Sequence, residues 1–196
     1  MKILAFVDIH GSFKLLDELE PKAAEADVLV SAGDISRFEM ELDKILGKVN
    51  SFGKPVLIIH GNHENPKVLE DACRGFKNII FAHKKAQIIN NMLFLGFGGL
   101  GFEKSTPEME QFFKKHHKEL KNSKEVVFIT HAPPYNTALD KINSSHNGNN
   151  TLRNVIIKYQ PNILVCGHFH ENSGKTDILG NAKLVNPGPS GVLLEL

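Results

Sequence analysis

The sequence predicts an α/β fold, a single domain over residues 1–196 built on mixed parallel and antiparallel strands. Three observations carry that prediction. Short apolar runs alternate with segments of helical period through the first half of the chain, the pattern of βαβ units around a largely parallel sheet. Asn90-Asn91 and Gly180-Asn181 each separate two such runs, as two-residue hairpin turns do. No repeat, low-complexity tract or compositional break marks a linker, and the length suits one core.

The elements follow in order. Ile3–Val7 reads as the first strand. Ser12 is a plausible cap for a helix with Leu15, Leu16, Leu19 and Ala23 on one face, which Pro21 is expected to bend or interrupt. Val28–Ser31 and Val56–Ile59 are strands, separated by a helix marked by Leu42, Ile45, Leu46 and Val49. A further helix enters through Pro66, with Val68, Leu69 and Ala72 on its apolar face. Strands are expected at Ile79–Phe81, Ala86–Ile89 and Met92–Phe97.

Ser105-Thr-Pro-Glu108 resembles a capping box before a polar helix of about four turns. Val126–Thr130 is the next strand, then a helix over Thr151–Tyr159 with Leu152, Val155 and Ile156 facing inward. The last strands are Ile163–Cys166, Lys175–Ile178, Lys183–Asn186 and Val192–Leu196.

Composition narrows the function classes. Apolar residues at 41% and charged residues at 23% are the balance of a soluble globular protein. No segment reaches the roughly 20 apolar residues of a membrane span. Asp8 cuts the opening MKILAFV too short for a signal peptide's apolar region. A net charge of +1 argues against an extended nucleic-acid groove. Lys114, Lys115 and Lys118, with His116 and His117 between them, read as a solvated helix face. Cys73 and Cys166 are far apart and suggest no disulfide framework, so a cytoplasmic protein is expected.

The ten histidines matter by position. ILAFV is followed by Asp8-Ile9-His10, VLVSAG by Asp34, VLIIHG by Asn62-His63-Glu64, VVFIT by His131, and ILVCG by His168-Phe169-His170. In open α/β sheets, ligands bind beyond the carboxyl ends of the strands, so these residues would share one crevice. Each has an ordinary reading alone. Asp8-x-His10 and Gly33-Asp34 occur in loops and turns, and Asn62 could occupy a left-handed turn. His131 could equally be a hydrogen-bonded core histidine, and His168 and His170 could be structural. Jointly those readings must explain why every strong parallel strand ends this way.

Asp8, His10, Asp34, Asn62, His131, His168 and His170 form an oxygen and nitrogen donor set without thiolate. Such a set suits Mn²⁺, Fe or Zn²⁺ better than Ca²⁺ or a cysteine-type zinc site. The candidates exceed the ligands of one zinc ion and suffice for two ions if a carboxylate bridges. Two ions about 4 Å apart can activate water and hold both oxygens of an in-line displacement, the chemistry of phosphate ester hydrolysis.

In this order and spacing, the motifs resemble the calcineurin-like metallophosphoesterase superfamily over nearly the whole chain. The resemblance implies a two-sheet αββα sandwich. It implies that Asp8, His10 and His170 hold one metal, that Asn62, His131 and His168 hold the other, and that Asp34 bridges them. The implied cofactors are two divalent transition-metal ions, Mn²⁺ first, with Fe, Zn, Ni or Co as alternatives. The implied reaction is in-line attack by a hydroxide bridging the metals. His63 matches the family's catalytic histidine, and the resemblance implies that it stabilises the transferred phosphoryl group or assists the leaving group by protonating its oxygen. Where the family commonly reads Gly-Asn-His-Asp, this chain has Glu64. If that acid orients His63, its longer side chain must fold back or act through water.

His131-Ala-Pro-Pro-Tyr135, Gly167-His-x-His-Glu171 and Val185-Asn-Pro-Gly188 further resemble the small cap-less phosphodiesterases. These are the group related to the metallophosphoesterase-domain brain proteins and cyclic-nucleotide phosphodiesterases. The substrate expected is a small phosphate ester, nucleotides included, with no membrane partner; self-association is left open. A protein-binding scaffold of the same fold and a nuclease are the rival readings. Gly167 is expected to let the chain turn sharply beside a crowded site. Ser145-His-Asn-Gly148, before a helix, reads as a polar loop in preference to a phosphate contact. His60 and His83 receive no role, His60 being expected to pack at its strand end.

Overall fold

Successive side chains of a strand point to opposite faces, and the first strand uses both. The computed structural model describes residues 1–196. In β1 (Lys2–Phe6), Leu4 and Phe6 face one layer while Ile3 and Ala5 face another. Burial on both faces is why the run is apolar throughout. Then come α1 (Phe13–Glu25), β2 (Val28–Ser31), α2 (Leu42–Ser51), β3 (Val56–Ile58), α3 (Pro66–Cys73) and β4 (Ile79–Phe81). The second half comprises β5 (Lys85–Ile89), β6 (Met92–Phe97), α4 (Glu108–Lys115), α5 (His117–Asn122) and β7 (Val126–Thr130). It continues with β8 (Lys141–Ile142), β9 (Ser145–His146), α6 (Asn150–Tyr159), β10 (Ile163–Val165), β11 (Thr176–Leu179), β12 (Ala182–Val185) and β13 (Val192–Glu195).

The first sheet runs β13-β1-β2-β3-β4, parallel except for β13. The second runs β11-β12-β10-β7-β6-β5, with a parallel centre and antiparallel hairpin strands at both edges. Ala5, Val7, Val30 and Leu57 of the first sheet pack with Phe94, Val127, Ile129 and Val165 of the second. Outside them, Leu16, Leu19, Ile45 and Leu69 of α1–α3 cover Leu4, Phe6 and Ile58. Met109, Phe113, Leu152 and Ile156 of α4 and α6 cover Leu95, Phe128 and Leu164. The αββα sandwich is the expected one. No helix is long and apolar enough to cross a membrane.

Local details depart from expectation. Pro21 lies inside an unbroken α1, where burial of Leu16, Leu19 and Ala23 outweighs the hydrogen bond lost at its nitrogen. The helix after Ser105 does not run for four turns. It breaks at His116 (φ −98°, ψ 21°), whose ring turns inward against Phe112 and is buried, so that face is not wholly solvated. Nor does the capping box form. Thr151 Oγ1 accepts the Thr106 N–H at 3.0 Å, and Glu108 pairs with Lys84.

Residues 132–149 are more ordered than a polar loop. The buried Asp140 carboxylate accepts the backbone N–H groups of Asn136, Thr137 and Gly148 and holds His146 Nδ1 at 2.7 Å. The small β8–β9 ribbon closes over it.

Candidate metal centre

The carboxyl ends of β1, β2 and β3 in one sheet and of β7 and β10 in the other open onto the same edge. Backbone hydrogen bonds fasten these ends together: Asp8 N–H to Gly33 O (3.2 Å), His10 N–H to Asp34 O (2.9 Å) and Gly167 N–H to His131 O (2.7 Å). Asp8, His10, Asp34 and His168 all have positive φ, between 48° and 68°. Non-glycine residues in the left-handed region cost about 1–3 kcal/mol each and cluster at functional sites.

The glycines of the motifs serve close approach. A Cβ on Gly61 would fall 2.0 Å from Asp34 Oδ1, and one on Gly167 would fall 2.3 Å from Val7 Cγ2. The sharp turn expected at Gly167 belongs instead to His168, which carries the positive φ. Gly167 is required because Val7 and Asp8, just after β1, leave no room for a side chain.

The side chains converge at coordination distances. Metal–ligand bonds of about 2.1 Å place neighbouring ligand atoms about 3.0–3.4 Å apart. His10 Nε2 lies 3.1 Å from His170 Nε2, His131 Nε2 lies 3.0 Å from Asn62 Oδ1, and His131 Nε2 lies 3.4 Å from Asp34 Oδ2. Ligand atoms of Asp8, His10 and His170 fall within 4.8 Å of one another, as do those of Asp8, Asp34 and His131 and those of His10, Asp34 and His63. Asp34 Oδ2 sits centrally, 3.9 Å from both His10 Nε2 and His63 Nε2, while Oδ1 accepts the His63 N–H at 2.9 Å. The His168 ring lies 5.2 Å from that of His131, centroid to centroid, and the backbone N–H of His168 donates to Asp8 Oδ2.

A cation fits this arrangement. His131 Nδ1 donates to the Ala32 carbonyl at 3.0 Å, so in the neutral ring the Nε2 lone pair faces Asn62 Oδ1 and Asp34 Oδ2. Converging acceptors repel unless a proton or metal ion lies among them. Asp8 Oδ1 and His168 Nε2 are buried with no hydrogen-bond partner, a costly state that a bound ion would relieve.

Protonation favours the same use at Asp34, His168 and His10, whereas at Asp8 and His131 an arriving ion must displace a proton. Burial alone would raise the Asp34 carboxyl, but the hydrogen bond and charge of His131, aided by His63, hold it at about 2. Burial pushes His168 down to about 4 and also lowers His10, keeping both imidazoles neutral and able to ligate. Burial raises Asp8 despite the opposing charges of His131 and His170. His131 goes up because Asp34 and Asp8 overcome its burial.

Glu64 does not orient His63. Its carboxylate accepts the backbone N–H groups of Asp34, Ser36 and Gly61 and the Ser36 hydroxyl, at 2.9–3.1 Å. It therefore binds the loop after β2 to the loop after β3. His63 Nδ1 is buried without a partner. His60 packs at its strand end beside His83, ring centroids 4.6 Å apart, and burial pushes His83 down to about 4.

Two neighbours of the centre are absent from the sequence motifs. Phe38 lies 4.6 Å from His63 and Phe102 lies 4.6 Å from His168, ring centroid to ring centroid. Both stand in loops without apolar periodicity, and only tertiary contact reveals them.

A family model of the calcineurin-like phosphoesterases matches residues 1–172. An uncharacterized protein of Methanocaldococcus jannaschii is 34% identical over 204 residues, covering 96% of this chain and 88% of its own. Among solved structures, TT1561 of Thermus thermophilus superimposes with a TM-score of 0.81 at 17% identity, covering 98% of this chain and 93% of that one. A dimetal phosphatase from Danio rerio gives 0.62 at 13% identity, covering 94% and 86%. At these identities the two structural likenesses are likenesses of fold.

Proposed function

This chain belongs to the calcineurin-like phosphoesterase family, metal-dependent hydrolases of phosphate esters, and from that premise we propose a two-metal phosphodiesterase acting on small esters, nucleotides among them. One observation carries the reading. Two groups of ligand atoms, around His10–His170 and around His131–Asn62, each reach coordination distance, with Asp34 Oδ2 between them. In this reading Asp8, His10 and His170 hold one ion, Asn62, His131 and His168 hold the other, and Asp34 bridges. When bound, the ions supply positive charge to the phosphoryl oxygens and a water acidic enough to attack at neutral pH.

The chain's own residues do the rest. The Asp34 carboxylate stays ionised and is fixed by the His63 N–H, so the bridging position is set before any ion arrives. The His63 side chain stands beside that carboxylate and serves as the proton donor to the leaving oxygen. The donor set, oxygen and imidazole without thiolate, favours Mn²⁺, with Fe, Zn, Ni or Co as substitutes. The free, buried Cys73 and Cys166 support a reducing compartment, the cytoplasm.

The test is to strip the protein with a chelator and reload it singly with Mn²⁺, Ni²⁺, Co²⁺, Fe²⁺ or Zn²⁺. Turnover is then compared on a diester and its monoester analogue. Metal-dependent turnover with the diester preferred is expected. Absence of turnover with every metal contradicts an enzyme and favours a scaffold, and salt-sensitive cleavage of DNA favours a nuclease.

A further inference from the structure

Phe38 and Phe102 are 68% and 69% exposed, among the most exposed large apolar side chains in the protein. Folding gives no reason for either, since neither ring enters the core. Both nevertheless rest on imidazoles of the candidate centre. Phe38 lies 4.6 Å from His63 with the planes inclined by 31°, and Phe102 lies 4.6 Å from His168, nearly edge-on at 72°. The rings form two runs of contacts, one on each side of the centre: Phe38–His63–His10, where His63 meets His10 at 4.7 Å, and Phe102–His168–His131, where His168 meets His131 at 5.2 Å. Each phenyl stands at the outer end of its own run.

Their placement is held at a conformational cost. Phe38, Glu39 and Glu41 have φ of 49°, 61° and 53° in one short loop, and Leu100, two residues before Phe102, has φ 85°. Each loop also runs beside the segment that follows β3. Glu39 accepts the Asn65 N–H, and a Cβ on Gly101 would lie 3.7 Å from Asn62 Cβ.

We propose that Phe38 and Phe102 are aromatic walls of the substrate site, one for each ester arm of a phosphodiester bearing planar aromatic groups, aryl or nucleoside. The assignment rests on the phosphodiesterase reading. His63 stands at the leaving oxygen, so Phe38 contacts the leaving arm. Phe102, beside His168, contacts the retained arm. A planar ring laid on an exposed phenyl gains stacking contact and removes apolar surface from water. A protein partner is the weaker occupant, because each phenyl is packed on an imidazole of the reacting centre and not on a separate surface.

The test uses the 196-residue chain reloaded with Mn²⁺ and two esters with the same leaving group, bis(p-nitrophenyl) phosphate and methyl p-nitrophenyl phosphate. In Phe102→Ala the ratio of KM for the bis-aryl ester to KM for the methyl ester should rise about tenfold, the equivalent of about 1.4 kcal/mol. Phe38→Ala should raise KM for both esters with a smaller change in kcat, and Phe38→Tyr and Phe102→Tyr should restore the wild-type pattern. A KM ratio unchanged by Phe102→Ala overturns the proposal. So does an unchanged ratio accompanied by loss of self-association, which would make the phenyls a docking surface.

Calorimetric binding of phenylphosphonate against methylphosphonate separates this proposal from the hydrolytic reading. A wild-type phenyl advantage lost in the double alanine variant upholds the walls even if neither ester turns over. Turnover of both esters without any phenyl advantage removes the walls and leaves the hydrolase.

Discussion

Glu64 accepts the backbone N–H of Asp34 at 3.1 Å, across 30 residues of chain. The same carboxylate takes the N–H groups of Ser36 and Gly61 and the Ser36 hydroxyl. Replacing it with alanine strands buried donors in two loops that carry metal-site residues. Unsatisfied buried groups cost about 1–3 kcal/mol each. Glu64→Ala should therefore lose about 3 kcal/mol or more in denaturant unfolding of the stripped protein and bind Mn²⁺ more weakly. Glu64→Asp, one methylene shorter, should recover only part of the loss. A stability change within error for Glu64→Ala would remove the latch.

Gly61 is excluded from bearing a side chain by the Asp34 carboxylate itself, since its Cβ would lie 2.0 Å from Oδ1. Gly61→Ala must displace that carboxylate and should abolish tight metal binding in a titration. Gly53 has positive φ (70°) but no atom within 4 Å of a Cβ. Gly53→Ala should cost only about 1 kcal/mol of backbone strain and leave metal affinity intact. Equal metal affinity in the two variants would contradict the crowding account.

His63 carries the proton in the proposed reaction without being assigned to a metal. His63→Ala should retain both ions by elemental analysis and lose about 10²–10⁴-fold in kcat on a diester with a poor leaving group. The loss should shrink on an activated ester, whose leaving oxygen needs no proton. An equal loss on both esters would point to phosphoryl binding as its role.

Cys73 is buried and its thiol is pushed up to about 12, mainly by desolvation. Burial also raises Cys166, which is fully enclosed. The thiolate is the reactive form, so neither should react with a disulfide reagent in native protein at pH 8, and both should react in denaturant. Fast labelling of native Cys73 would show that α3 opens readily.

Much of the site was legible in sequence because its ligands stand where apolar strands end, and strand ends meet at one sheet edge. Asp8, His10, Asp34, His131 and His170 can be placed there by that argument alone. The division between two ions came from family resemblance, since spacing does not say that His168 and His170 part company. The sequence leaves open whether Glu64 orients His63, because the carboxylate's partners, Asp34, Ser36 and Gly61, are set by tertiary contact between two loops. His116 looked like a surface residue among lysines, yet its ring is drawn in by Phe112 and breaks the helix. Phe38 and Phe102 gave no periodic signal, because their contacts are made by loops folding over the centre.

The most direct test of the central claim is the stoichiometry of Mn²⁺ bound to the stripped protein at saturation. Two ions per chain are expected, falling to one in His170→Ala, which alters a single proposed ligand of one ion. Saturation at one ion or none in the folded wild-type protein would contradict the two-metal centre.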